Sequence, residues 1–238
     1  MLELVAGLGA GLAIAGYNTM APQSQLYGQT FTGNPQQARS IALTFDDGPN
    51  DPYTFQLLEI LAKFDAKATF FMIGRYVDRR PDIAQAVVDA GHIVGNHTYS
   101  HPNLIFQSKW QVQDEIERCE RALTDAVGDR HSRLFRPPFG GRRPTTLRNA
   151  KATGLTPVMW NVTGWDWNAS SAQSIQRKVD AQIRGGDVVL LHDGGHLQFG
   201  TDRSFTVKAT SHLIEHYQRE GYGFRTVPEM IAGNRARD

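Results

Sequence analysis

The sequence predicts an α/β fold built on a parallel sheet, because strand and helix signals alternate along most of the chain. From Ser40 onward, short apolar runs alternate with longer segments of helical periodicity, the pattern of consecutive βα units. Seven predicted strands and six predicted helices favour a barrel-like fold over an open sheet covered on both faces, but periodicity alone does not choose between them. With 238 residues and 40% hydrophobic content, the chain can bury one sizeable core.

The strands are predicted at short apolar and β-branched runs such as IALTF and VVLL. In chain order these runs are residues 41–45, 68–73, 93–95, 134–136, 156–162, 188–191 and 224–227. Between them, apolar residues recur at helical spacing. The predicted helices are residues 53–64, 81–90, 109–127, 144–153, 172–184 and 205–220.

The first 39 residues differ in character from the rest of the chain. Residues 5–16 (VAGLGAGLAIAG) have the length of a signal-peptide core and are shorter than the roughly 20 residues that span a membrane. Glu3 and the lack of Lys or Arg before Arg39 weaken a secretory interpretation. Export or membrane anchoring is favoured over a cytoplasmic location, and a helix packed on the domain is the alternative. Residues 18–38 are interpreted as a polar linker, so residues 1–39 precede a domain at 40–238.

Charge and cysteine content restrict the partners. The formal net charge of +1 gives no indication of the positively charged surface that binds nucleic acid. The single cysteine, Cys119, excludes a disulfide within the chain and is expected to be a buried thiol. No obligate protein partner is indicated.

Polar residues gather at or just beyond the predicted strand ends. They are Asp46, Asp47, His97, Arg136, Asp166 and His192. Barrel enzymes assemble their active sites at the C-terminal edge of the strands. Any one of these residues has a structural alternative, since the sequence DGPN after Asp46 is good turn chemistry. Six together predict an active site.

Two motifs, TFDDGP at residues 44–49 and GNHTYSHP at 95–102, suggest a metal site. Two imidazoles and one carboxylate can hold a divalent ion with a position left for water. The rings of His97 and His101 are expected to meet if residues 98–101 form a helical turn. One aspartate would then bind the metal and the other would act as general base, while His192 has a suitable reference pKa of about 6.5 for a general acid.

Five motifs in order resemble those of the polysaccharide deacetylase family, which has the NodB homology domain and is carbohydrate esterase family 4. The motifs are TFDDGP at 44–49, HTYSHP at 97–102, RPPFG at 136–140, DW at 166–167 and LLH at 190–192. The resemblance covers about residues 40–231. It implies a distorted (β/α) barrel that removes acetyl groups from a sugar polymer with one divalent metal, zinc or alternatively cobalt or nickel.

The resemblance also implies residue roles. Asp46 corresponds to the catalytic base, and Arg136 to the arginine that orients it. His192 corresponds to the general acid, and Asp166 to the carboxylate that holds it and raises its pKa. The metal ligands would be Asp47, His97 and His101. The substrate-binding residues would be Phe139, whose backbone N–H would be the oxyanion donor, together with Trp167 and Leu190.

The chain departs from the family pattern at two positions. Phe139 replaces the usual tyrosine, and Thr163 stands where the first aspartate of DxxDW is expected, which puts substrate preference in doubt. Trp165 is expected either to offer a stacking surface to a sugar or to pack in the core. In the glycine-bearing loop after His192, His196 is either a substrate contact or a solvated histidine.

The leading hypothesis is a metal-dependent N-deacetylase acting on a glycan that contains N-acetylglucosamine, of chitin or peptidoglycan type. An O-acetyl esterase on xylan-like chains is the alternative within the hydrolases. A non-catalytic carbohydrate-binding protein with the same fold is the alternative from another class.

Overall fold

The computed structural model describes residues 15–233, and its strands form one parallel sheet. The strands are β1 (Ser40–Gly48), β2 (Ala68–Met72), β3 (Ile93–Asn96), β4 (Leu134–Phe135), β5 (Thr156–Pro157), β6 (Val162–Thr163), β7 (Asp187–His192) and β8 (Gly223–Phe224). Their order is β5-β4-β3-β2-β1-β7-β6, with β8 paired to β1. Every residue of the central strand β1 is buried, which places its C-terminal end inside the domain.

Helices pack outside the sheet. They are α1 (Tyr53–Lys63), α2 (Gly74–Arg79), α3 (Pro81–Asp89), α4 (Lys109–Val127), α5 (Pro144–Ala152), α6 (Ala172–Asp180), α7 (Ser204–Arg219) and α8 (Val227–Ala232). The six predicted helices are confirmed, with α6 four residues shorter than the predicted 172–184. The short helices α2 and α8 were not predicted.

The sheet is curled into an incompletely closed barrel. β5 and β6 lie at opposite ends of the strand order but are joined by only residues 158–161. Fully extended, that connection spans at most about 18 Å, whereas the outer strands of a flat seven-strand sheet would lie about 29 Å apart. The edges must therefore approach each other, which confirms the predicted barrel-like α/β fold and excludes the open sheet.

The predicted strand at residues 156–162 is wrong in its middle, where the chain leaves the sheet. The guanidinium of Arg136 donates to the carbonyl oxygens of Val158 (Nε, 3.4 Å) and Met159 (Nη2, 3.1 Å). Phe31 also pairs with this segment, accepting from Met159 N at 2.7 Å. The run divides into β5 and β6, since Val158 N still donates to the Phe135 carbonyl oxygen of β4 whereas Asn161 N donates to the Val188 carbonyl oxygen of β7.

The predicted last strand, residues 224–227, is also wrong at its end. β8 stops at Phe224, and α8 begins at Val227. Thr226 caps α8: its side chain accepts from the backbone N–H of Glu229, whose carboxylate accepts from the Thr226 N–H. This reciprocal capping box starts a helix where apolar content alone suggested a strand.

The segment interpreted as a linker packs against the domain. Asn34 donates to the Gly186 and Met230 carbonyls through its backbone and side chain. The guanidinium of Arg142, which is 1% exposed, donates to the carbonyl oxygens of Ala21 and Ser24 at 2.7 and 2.8 Å. The apolar run at residues 5–16 lies mostly outside the described residues. Across residues 15–233, no helix has the length and apolar character to span a membrane.

Candidate active site

Asp47, His97 and His101 converge at the C-terminal edge of the sheet. Asp47 is the penultimate residue of β1, His97 follows β3, and His101 lies four residues later in the same loop. Their potential ligand atoms lie within 4.8 Å of one another, and all three residues are buried. Asp47 Oδ1 is 3.5 Å from His97 Nε2 and 3.1 Å from His101 Nε2.

The histidines do not meet through the predicted helical turn. Residues 97–101 form a loop in which Thr98 and His101 have left-handed backbones, with φ of 65° and 62°. Thr98 N donates to Asn96 Oδ1, and His101 N donates to the Thr98 hydroxyl. These local hydrogen bonds bring the two rings to a centroid separation of 4.9 Å. The predicted approach of the two rings is confirmed, but the helical turn predicted for residues 98–101 is wrong.

The three side chains fit a divalent metal. His97 Nδ1 contacts the Arg136 carbonyl oxygen at 2.7 Å, so Nδ1 carries the proton and Nε2 is left to face Asp47. Asp47 Oδ1 is buried without a hydrogen-bond partner among residues 15–233, which is costly unless another group occupies the space. Burial opposes the charge on Asp47, but the neighbouring histidines, His101 first, outweigh it and hold the pKa of this carboxyl well below its usual range.

Asp46 has a different partner from its neighbour. Arg136 Nη1 donates to Asp46 Oδ1 at 2.7 Å and to the Thr44 hydroxyl at 2.7 Å. The guanidinium is fully buried and lies over the Phe71 ring, 4.2 Å from its centroid. A charge-assisted hydrogen bond from a fixed guanidinium fixes the direction of the carboxylate. The two adjacent aspartates thus have different partners, Asp46 an arginine and Asp47 two histidines.

His192 and Asp166 form the second buried pair. His192 Nδ1 is 2.8 Å from Asp166 Oδ1, and His192 N donates to Asp166 Oδ2 at 2.8 Å. The Thr206 hydroxyl donates to the same Oδ2 at 2.8 Å. Burial opposes the imidazolium, but attraction and hydrogen bonding to Asp166, with smaller contributions from Asp47 and Asp46, raise the pKa of His192 to about 9. His192 is therefore suited to donate a proton near neutral pH.

These groups open onto one cleft of about 470 Å³. Its lining includes Asp46, Asp47, His97, His101, His192, Phe139, Trp167, Leu190, His196 and Arg203. Phe139 and Trp167 are 45% and 46% exposed and can contact a ligand directly, whereas Leu190 is nearly buried at 3%. Phe139 has a left-handed backbone with φ of 58° and meets the His101 ring edge-on. The roles inferred for these residues stay predictions.

The loop around Thr163 is ordered by local hydrogen bonds. Thr163 Oγ1 accepts from Trp165 N at 3.3 Å, and Gln182 Nε2 donates to the Thr163 carbonyl oxygen at 2.9 Å. Trp165 is 52% exposed, so the core-packing alternative is wrong, and its ring lies 5.4 Å from that of Trp167.

Two residues close to the site lie outside the five motifs. His196 lies against His101 and Asp47, and only its position in a glycine-bearing loop drew attention to it. Asp193 is fully buried and accepts from the Thr54 hydroxyl. Burial raises the pKa of Asp193 to about 7. In the sequence, only the position of Asp193 directly after His192 indicated that it would lie near the site.

Comparisons with known proteins agree with this geometry. The sequence model of the family described as polysaccharide deacetylase matches residues 33–158. A peptidoglycan-N-acetylglucosamine deacetylase of Bacillus cereus is 37% identical over 202 residues, covering 83% of this chain and 90% of the relative. A chitooligosaccharide deacetylase of Bradyrhizobium sp. is 38% identical over 204 residues, covering 83% of this chain and 93% of the relative.

Solved structures are similar across the same region. The crystal structure of a peptidoglycan N-acetylglucosamine deacetylase has a TM-score of 0.78 at 32% identity, covering 84% of this chain and 92% of that one. A family 4 pseudoenzyme from Bacillus anthracis has a TM-score of 0.76 at 30% identity, covering 84% of this chain and 67% of that one. Because an active enzyme and a pseudoenzyme share the fold, the site residues must support any assignment of activity.

Proposed function

Because the chain belongs to the polysaccharide deacetylase family, we propose that it hydrolyses N-acetyl groups on N-acetylglucosamine units of a glycan. The observation that supports this proposal is that one cleft is lined by candidate metal ligands, a candidate base and a candidate acid. A metal-type triad, an aspartate oriented by Arg136 and a histidine held by Asp166 all line it. Their completeness favours an enzyme over the non-catalytic alternative.

The metal would be held by Asp47, His97 and His101. Two imidazoles and one carboxylate with open positions suit zinc, and cobalt or nickel accept the same ligands. When bound, such an ion supplies a Lewis acid that lowers the pKa of water and polarises the acetyl carbonyl.

Asp46 and His192 divide the proton transfers. Asp46, fixed by Arg136 at 2.7 Å, accepts a proton from the attacking water. His192 donates a proton to the departing amine nitrogen, since Asp166 favours its charged form. The C–N bond breaks and acetate leaves, with the glycan amine as the second product. We expect the backbone N–H of Phe139 to stabilise the negative charge that develops on the acetyl oxygen.

The glycan would contact the rim of the cleft. Phe139 and Trp167 present half-exposed rings on it, which can pack on the apolar faces of a pyranose. Relatives of nearly equal sequence identity are named peptidoglycan-N-acetylglucosamine deacetylase and chitooligosaccharide deacetylase. The proposal therefore specifies the N-acetylglucosamine unit, which both glycans contain, and not one of the two glycans.

Mass spectrometry of a substrate panel tests this function. The purified protein with zinc is incubated with chitooligosaccharides, peptidoglycan fragments and acetylated xylan. Loss of acetyl groups from either N-acetylglucosamine substrate supports the proposal. Loss from acetylated xylan alone would favour the O-acetyl esterase, and no loss from any substrate would contradict both.

Export or membrane anchoring through residues 5–16 is a separate proposal. Cell fractionation of the full chain against a version that starts at residue 15 tests it, since that version keeps the contacts of Arg142 with Ala21 and Ser24. The same distribution for both versions would contradict it.

A further inference from the structure

His196, which lies outside the five motifs, packs against the candidate metal ligands. Its ring stacks on His101 with a centroid separation of 4.7 Å and an interplanar angle of 24°. It meets the ring of Phe139 edge-on at 5.1 Å. The side chain is about one-third exposed, at 34%, so it forms part of the cleft wall and is not a solvated loop histidine.

The polar edge of His196 faces the second oxygen of Asp47. His196 Nδ1 lies 3.7 Å from Asp47 Oδ2, whereas Oδ1 faces the Nε2 atoms of His97 and His101. The two carboxylate oxygens therefore have different neighbours. Shortening the Nδ1–Oδ2 distance by less than about 1 Å makes a normal hydrogen bond.

The loop that carries His196 is fixed from several directions. The Tyr76 hydroxyl donates to the Gly195 carbonyl oxygen at 3.1 Å, and Arg75 donates to the carbonyl oxygen of His196 itself. Arg203 Nε donates to the Gly194 carbonyl oxygen at 2.6 Å. Because α2 supplies two of these donors, the backbone that carries His196 is fixed to a neighbouring helix.

His196 does not belong to the metal-type triad. Within residues 15–233, the ligand atoms that come within 4.8 Å of one another are those of Asp47, His97 and His101. An imidazole beside a ligating carboxylate has another use, since carboxylate ligands are commonly held by hydrogen bonds from a surrounding residue.

We propose that His196 is a positioning residue of the metal site. Through its Nδ1–H it donates to Asp47 Oδ2 and turns Oδ1 toward the ion. The inference rests on the proposed function, since it requires that the triad binds a divalent metal. Loss of such an outer hydrogen bond typically weakens metal binding by about 10–100-fold.

The test measures the Zn²⁺ dissociation constant of the full chain by competition with a chromogenic chelator. His196→Ala removes the donor, whereas His196→Asn places an amide N–H close to the position of Nδ1. His212→Ala, which removes an exposed histidine on α7, is the matched control for zinc bound nonspecifically by histidine. The melting temperature of each variant in EDTA reports any effect on packing alone.

The expected result is a Zn²⁺ dissociation constant about 10–100-fold higher for His196→Ala, within a few-fold of wild type for His196→Asn, and unchanged for His212→Ala. An unchanged constant for His196→Ala would overturn the inference, whatever its melting temperature in EDTA. Equal weakening in the Ala and Asn variants would overturn it as well, by assigning the effect to the ring. Absence of zinc binding by the wild type would overturn the proposed function and this inference together.

Discussion

Arg136 Nη1 donates to Asp46 Oδ1 at 2.7 Å in an environment where the arginine is fully buried and the aspartate is 3% exposed. The guanidinium also donates to the Val158 and Met159 carbonyl oxygens, which lie where the predicted strand at 156–162 is interrupted. One arginine thus links the closure of the barrel to the direction of the proposed base.

Replacing Arg136 is therefore expected to affect both stability and catalysis. Arg136→Met leaves Asp46 as a buried carboxylate without its cation, and removing one partner of such a pair costs about 3–5 kcal/mol. Urea unfolding should show this loss, and acetate release should fall because the base is no longer oriented. Arg219→Met is the control: its ion pair with Glu215 is exposed on α7, so a change below about 1 kcal/mol is expected. Equal losses in the two variants would contradict the structural role of Arg136.

Substitutions of the two adjacent aspartates are expected to have different effects on zinc affinity and on kcat. Asp46→Asn should keep zinc affinity within a few-fold while lowering kcat by about 10²–10⁴-fold, the usual contribution of a general base. Asp47→Asn should lose zinc itself, because it weakens a ligand that faces both histidines. Zinc titration and acetate release on the same preparations separate the two. Loss of zinc by both variants to the same extent would contradict the division of tasks.

The pH dependence should report the His192–Asp166 pair. A general acid must be protonated, so activity falls as pH rises through its pKa, which Asp166 helps to raise to about 9. Asp166→Asn removes the attracting charge and should move the basic limb of the kcat profile to lower pH. Thr206→Val removes one hydrogen bond to Asp166 but keeps its charge, so it should move that limb less. If the basic limb of the kcat profile lies at the same pH in Asp166→Asn as in the wild type, a group other than His192 is the general acid.

Thr163 should tolerate the family aspartate. Thr163 Oγ1 accepts from Trp165 N, and an aspartate at this position offers a stronger acceptor in the same local turn. Thr163→Asp is expected to change the unfolding free energy by less than about 1 kcal/mol, whereas Thr163→Val should cost about 1 kcal/mol. The KM for a chitooligosaccharide, measured for both, shows whether the order of Trp165 matters to the substrate. A large destabilisation by Thr163→Asp would contradict this account of the loop.

Sequence reasoning succeeded where local pattern determines position. The apolar run that ends at Asp46 and Asp47 is a buried central strand, so both carboxylates had to reach the C-terminal edge of the sheet. His192 followed from the same argument, because it ends the neighbouring strand, β7. Spacing also indicated that His97 and His101 would converge.

The remaining features depend on contacts distant in sequence. No local pattern shows that the Arg136 guanidinium would donate to the carbonyl oxygens of residues 158 and 159, where the predicted strand is interrupted. The left-handed backbones of Thr98 and His101 replaced the helical turn that an i,i+4 histidine pair suggests. The place of His196 depends on donors from α2, more than a hundred residues earlier in the chain.

The central claim is that Asp47, His97 and His101 hold a metal required for deacetylation. Its most direct test is acetate release from a chitooligosaccharide by the wild type as purified, after metal removal with a chelator, and after zinc is restored. We expect activity to disappear with the metal and to return with zinc. Acetate release that is unchanged in the fully metal-stripped protein would contradict the claim.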